Sequence, residues 1–290
     1  MDTKPSALKP TLPFLEIMAT QTCNFSCQGC SNYSDVPHKG FLTWQDAHDQ
    51  ILPWLERLHI ADFGIIGGEP LLVPDIITWI YGARQLLPDS QIRFTTNGSL
   101  LYKFPDIMRV FLDIGNCVFK ISRHHHDPRV DDFIQDITQN HEWLPVVEHG
   151  ITRWTVGDRV RLQINRPETF VKIYRGLNYH HMRPYHSQAE EAFAHCCQKD
   201  CPLLYQGRIY KCSSNGLLAD LLEKFNPVTR EEWDQYLDPG IGHDCTAEEL
   251  DSFLSHFGRP YRTCSMCPTE LDQESKIPHW NKISFAKVGI

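Results

Sequence analysis

Short apolar segments alternate with longer amphipathic ones between residues 14 and 140, and this alternation limits the possible folds more than any other feature. The apolar segments predict strands over Phe14–Thr20, Ala61–Ile66, Gln91–Thr96 and Cys117–Ser122. The amphipathic segments predict helices over Trp44–Leu58, Pro74–Leu87, Pro105–Ile114 and Val130–Asn140. Such an alternation indicates an α/β fold with a parallel sheet and right-handed crossovers, which strands near Arg159–Ile164 and Phe170–Tyr174 would extend. A closed or partly closed β/α barrel and an open doubly wound sheet both fit this pattern.

The residue composition of the chain changes after about residue 180, where a His- and Pro-rich segment precedes clustered cysteines. A capping-box pattern at Thr246 predicts a helix over Ala247–Phe257 that stops at Gly258. We therefore expect two units, one over residues 1–180 and a smaller one over residues 181–290 held together largely by its cysteines.

Charge and hydropathy exclude several functional classes. The net charge of −8 argues against a broad nucleic-acid-binding surface. No apolar run approaches the roughly 20 residues that a membrane span needs, and the first residues lack the apolar stretch of a signal peptide. We expect a cytoplasmic protein with neither a membrane nor a nucleic acid as partner.

The chain has eleven cysteines, and most of them are clustered. A disulfide framework would suit a short secreted chain, whereas clustered cysteines in a cytosolic protein more often bind metal. Cys23, Cys27 and Cys30 directly follow the first predicted strand. Three thiolates there could hold a [4Fe–4S] cluster and leave its fourth iron open for catalysis. A zinc site or a group of buried thiols is the alternative.

The CxxxCxxC spacing on a loop after the first strand resembles the radical-SAM superfamily. Gly67-Gly68-Glu69-Pro70 follows the second predicted strand, where that family places a second hallmark. The resemblance implies a partial (β/α)6 TIM-like barrel, a [4Fe–4S] cluster and bound S-adenosylmethionine. It also implies an external one-electron donor such as flavodoxin or ferredoxin. Many relatives have an aromatic residue where this chain has Gly29, so we expect the adenine to pack elsewhere.

Residues that the resemblance assigns to S-adenosylmethionine lie after successive strands. Gly67, Gly68 and Glu69 would hold its amino group, since glycine lets the backbone approach a ligand closely and the carboxylate can accept from an ammonium group. Asn97 and Ser122 would contact the ribose and the methionyl carboxylate. Turn formation is the alternative role of Asn97, because Asn-Gly is a turn dipeptide.

A second cysteine set belongs to a predicted β-hairpin that turns at Gln206-Gly207. Pairing about this turn would place Cys201 opposite Cys212, and a CxxC motif supplies Cys264 and Cys267. The arrangement resembles the twitch module, a shortened relative of the SPASM module, and implies one auxiliary [4Fe–4S] cluster in a small C-terminal cysteine-rich β-hairpin and helix module. Cys197, with Cys196 beside it, is an alternative first ligand, and a structural zinc site is the alternative for the whole set.

The sequence does not name catalytic acid–base residues. His124 and His125 could face the substrate, and Cys245, Cys196 or Cys197 could return a hydrogen atom to a product radical. We expect a radical-SAM oxidoreductase or epimerase that abstracts a hydrogen atom from a small polyol, sugar or aminocyclitol. The alternatives are modification of a ribosomally made peptide, and a non-enzymatic zinc or iron–sulfur binding module.

Overall fold

The structure is a computed structural model, and it describes residues 9–124, 127–139, 144–148, 151–156, 159–166, 169–278 and 283–285. His125 lies outside these ranges. The strands in the described ranges are β1 (Thr11–Met18), β2 (Phe25–Cys27), β3 (His59–Ile66), β4 (Gln91–Thr96), β5 (Cys117–Ser122), β6 (Leu144–Glu148), β7 (Ile151–Val156), β8 (Val160–Asn165), β9 (Thr169–Val171), β10 (Leu203–Tyr205), β11 (Arg208–Tyr210), β12 (Ile241–Gly242), β13 (Lys276–Pro278) and β14 (Ile283–Phe285).

The helices in these ranges are α1 (Trp44–Leu55), α2 (Ile76–Leu86), α3 (Ile107–Ile114), α4 (Pro128–Gln139), α5 (Ala189–His195), α6 (Ser213–Gly216), α7 (Leu218–Phe225), α8 (Arg230–Trp233) and α9 (Ala247–Ser255). Capping boxes at Thr43 and Thr246 begin α1 and α9, because in each the hydroxyl and the side chain three residues on satisfy otherwise free backbone donors. Helix α1 ends at Leu55, two residues after Pro53, and not at Leu58 as predicted. None of the described helices has the length and apolarity that crossing a membrane requires.

A ten-stranded sheet in the order β12-β11-β10-β1-β3-β4-β5-β8-β7-β6 organises the molecule. Strands β10, β1, β3, β4, β5 and β8 pair in parallel, and antiparallel strands complete both edges. The predicted α/β class with a parallel sheet is confirmed, and the arrangement is consistent with a partial TIM-like barrel.

Two details of the predicted sheet are wrong. The strand expected near Phe170–Tyr174 is found as β9, which pairs with β13 in a separate two-stranded sheet. The sixth parallel strand is instead β10, from the predicted second unit, whose hairpin with β11 joins the first unit's sheet beside β1. The β6–β7 hairpin was not predicted. The domain boundary near residue 180 stays a prediction. Strand β10 of the second predicted unit nevertheless pairs with β1 of the first.

Apolar side chains divide between two cores that lie on opposite faces of the sheet. The larger core joins α1, α2 and α3 to the outward side of the strands, with Trp54, Trp79 and Phe111 fully buried beside Ile17 and Phe94. The smaller core joins the carboxyl ends of β1 and β3 to β10 and α7. Helices α1 to α4 thus cover one face, and we call the opposite face of strands β1, β3, β4, β5 and β8 the inner face.

Candidate functional site

The first cysteine set lies on the loop that follows β1 and includes β2. Consecutive turns wrap this loop, because Cys30 N donates to Cys27 O at 3.1 Å and Tyr33 N donates to Cys30 O at 3.0 Å. Gly29 has a φ of +82° in the first of these turns, a conformation that suits glycine. This explains why an aromatic residue is absent there. Strand β14 pairs with β2 and covers the loop's edge.

The three thiols form a crowded and poorly solvated group. Burial raises the pKa of all three, to about 12 for Cys27 and about 11 for Cys30, and the neighbouring Cys30 raises that of Cys27 further. Three thiolates this close are unfavourable unless a cation compensates them, and metal binding supplies that compensation. The donor set therefore fits an iron–sulfur cluster.

The segment after β3 packs directly against the cysteine loop. Gly68 N donates to Thr20 O at 2.8 Å, and Glu69 N donates to Thr22 O at 2.9 Å. A Cβ at Gly68 would lie 2.4 Å from Thr22 O, and one at Gly67 would lie 2.6 Å from Thr20 O. These glycines therefore permit a close approach to the backbone leading into the cysteine loop, and their predicted approach to a ligand stays a prediction.

Glu69 is fully buried and holds the ends of β3 and β4 together. Its Oε1 accepts from Leu71 N at 2.9 Å and from the Thr96 hydroxyl at 2.6 Å, and its Oε2 accepts from Asn97 N at 2.8 Å. Burial raises its pKa to about 7, although these three donors lower it. A carboxylate offers about four acceptor positions, so one more donor can still be accepted. The predicted contact with an ammonium group stays a prediction.

Asn97 joins the end of β4 to the cysteine loop. Its Nδ2 donates to Asn24 Oδ1 at 3.0 Å and lies 3.9 Å from Cys23 Sγ, while its Oδ1 accepts from Ser99. Ser122 ends β5 opposite Asn165 of β8. These side chains and the glycine segment all follow the carboxyl ends of parallel strands, where β/α barrels place their sites.

The remaining candidates are His124, His125 and Cys245. The ring of His124 packs 5.1 Å from that of Phe170, and His125 is outside the described ranges. Arg57 donates to Cys245 O at 2.6 Å and to its Sγ at 3.2 Å. Because Arg57 precedes β3 and the glycine segment follows it, Cys245 lies near the far end of a strand roughly 26 Å long. Cys245 is therefore distant from the cysteine loop, and its role as a hydrogen-atom donor stays a prediction.

The second cysteine set surrounds an internal cavity between α5, the β10–β11 hairpin and the CxxC turn. Its lining includes four thiols, those of Cys196, Cys212, Cys264 and Cys267. Cys267 N donates to Cys264 O at 3.0 Å, which closes the CxxC turn. Burial raises the pKa of Cys212 to about 12, and the neighbouring Cys196 and Cys264 contribute.

Cys201 was the favoured first ligand, but the structure places Cys196 on the cavity in its stead. The predicted register holds for Leu203 with Tyr210 and for Tyr205 with Arg208, but the ladder stops there and does not pair Cys201 with Cys212. Cys201 does not line the cavity, and its electrostatic neighbours are chiefly Glu16 and Lys120. The alternative ligand Cys197 is exposed and does not line the cavity either.

In the described residues, no three Cys, His, Asp or Glu side chains converge on the position of one metal ion. A mononuclear zinc site requires that convergence. A cubane distributes its cysteine ligands over separate irons and does not require that convergence.

A buried polar bridge connects the two cysteine sets. Gln198 Nε2 donates to Ser31 Oγ at 3.1 Å and to Ser213 Oγ at 2.7 Å, and Ser213 Oγ donates to Asn32 Oδ1 at 2.7 Å. Asn32 Nδ2 then donates to Gly67 O at 3.2 Å. The sequence analysis missed this bridge, because its polar residues carry no recognisable spacing.

The inner face of the sheet carries charged residues that the sequence analysis also missed. Glu16 interrupts the apolar strand β1, and Lys120 similarly interrupts β5. Both precede the end of their strand by two residues and therefore lie just below the cysteine loop. A charge within an otherwise apolar strand was the available signal.

Comparisons with known proteins agree with this geometry. Residues 17–149 match the family model described as the Radical SAM superfamily. Curated relatives include GTP 3′,8-cyclases from Trichormus variabilis, 30% identical over 146 residues, and from Aliarcobacter butzleri, 34% identical over 93 residues. These matches cover 49% and 31% of the chain, and the chain spans only 40% and 28% of the length of those relatives.

A solved structure resembles the chain over a longer range. BtrN, in complex with AdoMet and 2-DOIA, aligns with a TM-score of 0.50 at 13% identity, and the match covers 91% of this chain and 95% of BtrN. At this identity the likeness concerns the fold alone.

Proposed function

We propose that the chain is an enzyme that cleaves S-adenosylmethionine, because residues 17–149 match the family model of the Radical SAM superfamily. Cys23, Cys27 and Cys30 would hold a [4Fe–4S] cluster with one iron open to the amino and carboxylate groups of the cosubstrate. When bound, the cluster supplies the electron that splits the sulfonium, and the resulting 5′-deoxyadenosyl radical removes a hydrogen atom from a substrate carbon.

The observation that carries this proposal is the contact between the cysteine loop and the segment after β3. The two backbone hydrogen bonds from Gly68 and Glu69 to Thr20 and Thr22 fix the loop beside the strand ends. Asn97 supports the same loop through Asn24. The protein therefore provides a rigid cradle that would position the cosubstrate at the open end of the sheet, with water restricted by the surrounding strands.

For the second set we propose one auxiliary [4Fe–4S] cluster held by Cys196, Cys212, Cys264 and Cys267, in a module that resembles twitch. All four line one cavity, and each has a pKa raised by burial. Four protein ligands would leave no iron open, which suits a role in electron transfer. Such a cluster could accept the second electron when a substrate radical is oxidised.

The substrate that we favour is a small polyol, sugar or aminocyclitol, which would be oxidised or epimerised. The inner face below the cysteine loop supports this class because it offers hydrogen-bonding groups from Thr95, Gln163 and Asn165, beside Glu16 and Lys120. BtrN, solved with 2-DOIA, matches nearly the whole chain in fold and is compatible with the same class.

A purine nucleotide is the second candidate, because the curated relatives are named GTP 3′,8-cyclases. Their similarity is confined to about half of this chain or less. It therefore supports the shared domain more strongly than the shared substrate. An external one-electron donor such as flavodoxin or ferredoxin stays a prediction.

Anaerobically reconstituted protein, given S-adenosylmethionine and dithionite, should release 5′-deoxyadenosine and methionine. The triple variant Cys23→Ala, Cys27→Ala, Cys30→Ala should release neither, whereas Cys117→Ala, a buried cysteine outside both sets, should retain the activity. Deuterium transfer from labelled polyols, amino sugars or GTP into 5′-deoxyadenosine would identify the substrate class. Iron-loaded protein that never splits S-adenosylmethionine would refute the proposal.

A further inference from the structure

Two side chains of opposite charge type face the interior of the sheet without a hydrogen bond or ion pair among the described residues. Glu16 lies in β1 level with Gly64 of β3, and Lys120 lies in β5 level with Thr95 of β4 and Gln163 of β8. Phe14 and Arg93 make a cation–π contact at 5.3 Å on this face. The register therefore directs both charged side chains to the inner face and away from the helices.

Glu16 is only 7% exposed, and its side chain makes no hydrogen bond or ion pair in the described part of the chain. Gly64, its neighbour in β3, has no side chain that could fill the space beside it. An added Cβ there would lie 3.1 Å from Cβ of Glu16 and 3.0 Å from the ring of Phe14. The glycine thus leaves room for the carboxylate at the centre of the inner face.

Lys120 also lacks a hydrogen bond or ion pair among the described residues, although it lies within electrostatic range of Glu16. The other nearby charge, Arg93, already pairs with Asp62. Burial raises the pKa of Glu16 to about 8 and lowers that of Lys120. A buried charge without a partner is costly, so two of them facing one space suggest that a ligand completes their interactions.

We propose that Glu16 and Lys120 anchor a small hydroxylated or amino-hydroxylated substrate, with a hydroxyl or amine donating to the Glu16 carboxyl and an oxygen accepting from the Lys120 ammonium. This inference rests on the proposed function and deepens it, because it names the residues that select the substrate class. The thiol of Cys201 has these two residues as its largest electrostatic neighbours.

The combination of an acidic and a basic side chain in Glu16 and Lys120 accounts for the proposed class of substrate. A polyol or amino alcohol presents donors and acceptors on adjacent carbons, so one molecule can satisfy both residues. A triphosphate would bring several negative charges to a face where, among the described residues, Arg93 already pairs with Asp62 and Lys120 is the remaining nearby cation. The pair therefore selects against the nucleotide candidate.

Calorimetric titration of the reconstituted protein with S-adenosylmethionine bound tests the pair. The probes are myo-inositol, D-glucosamine and streptamine, with GTP as the contrasting class. Wild-type protein should bind at least one of the first three and not GTP. Glu16→Gln and Lys120→Met should each weaken that binding by about tenfold or more, and Lys120→Arg should weaken it less.

Exposed residues of matched charge provide controls, because Glu56→Gln and Lys103→Met should leave the binding unchanged. The affinity for S-adenosylmethionine is measured for every variant, since a collapsed site would weaken both ligands equally. Four outcomes would overturn the proposal. Probe binding could be unchanged in the two anchor variants, or both ligands could be lost equally. Wild-type protein could bind GTP in place of the other probes, or it could bind no probe at all. Calorimetry does not need turnover. Probe binding that depends on Glu16 and Lys120 in protein that never cleaves S-adenosylmethionine would therefore uphold the anchors and refute the proposed function.

Discussion

The side-chain amide of Gln198 lies 2.7 Å from the hydroxyl of Ser213, and each of these two side chains also bonds to the loop of the first cysteine set. Gln198 comes two residues after Cys196, and Ser213 directly follows Cys212. The same amide reaches Ser31, which directly follows Cys30. The spacing between the two proposed clusters is therefore set by a few buried hydrogen bonds as well as by the sheet.

Replacing Ser213 by alanine should destabilise the protein by about 1–3 kcal/mol, because Asn32 Oδ1 loses its donor and Gln198 loses an acceptor at a fully buried hydroxyl. Ser255→Ala, on the exposed face of α9, should change stability by no more than about 0.5 kcal/mol. The midpoints of anaerobic urea denaturation compare the two variants. Equal midpoints would show that the bridge does not contribute to stability.

Much of the first half of the fold follows from local sequence. The predicted bounds of β4 and β5 agree with the structure, because each is a short apolar run followed by polar turn residues. The pairing of strands that are distant in the sequence could not be predicted from local sequence. Strand β9 has the composition of a central strand, yet it pairs with β13 more than 100 residues later. The sixth parallel strand comes from the hairpin at β10.

The candidate site residues show the same difference between what a local motif predicts and what depends on long-range structure. The positions of Cys23, Cys27 and Cys30 after β1 follow from the motif itself, since their spacing lies within one loop. The first ligand of the second set depended on how far a hairpin ladder extends, and that ladder stops before Cys201. Cys196 instead reaches the cavity from the end of α5. The inner-face role of Glu16 required the register of several strands, which a single sequence does not supply.

Gly68→Ala should disturb the first cysteine set specifically. The new Cβ would lie 2.4 Å from Thr22 O, and backbone at that distance must move. We expect a loss of stability of about 1–3 kcal/mol and reduced iron binding at Cys23, Cys27 and Cys30. Gly207→Ala, at a turn with φ of +76° and no atom within 4 Å, should cost about 1 kcal/mol through backbone strain. It should leave the iron content unchanged, so equal iron loss in both variants would contradict this reasoning.

The stability of the protein should fall between pH 6 and pH 8.5. Burial raises the pKa of Glu16 from 4.5 to about 8 in the folded state, so folding favours its protonated form. Its contribution is complete below about pH 4.5 and is lost as the pH rises through about 8, which amounts to on the order of 2 kcal/mol over the stated interval. Asp35 and Glu69 act in the same direction at lower pH, with pKa values near 6 and 7.

Glu16→Gln removes this pH-dependent contribution to stability. The stability of the variant should therefore fall less steeply between pH 6 and pH 8.5. Melting temperatures of wild type and variant, measured anaerobically at several pH values, would test it. A variant with the same pH slope as wild type would mean that the Glu16 carboxyl is ionised or well solvated in the folded protein.

The ligands of the second cluster can be assigned by comparing two neighbouring cysteines. Cys196 lines the cavity with Cys212, Cys264 and Cys267, whereas Cys201 borders Glu16 and Lys120. Cys196→Ala should therefore lower the iron content from about eight to about four atoms per chain, because three ligands hold the second cluster weakly. Cys201→Ala should keep about eight. Both variants should retain cleavage of S-adenosylmethionine, since neither touches Cys23, Cys27 or Cys30. Iron loss in Cys201→Ala with full loading of Cys196→Ala would restore the cross-strand assignment, and zinc in place of iron at this set in wild-type protein would exclude an auxiliary cluster.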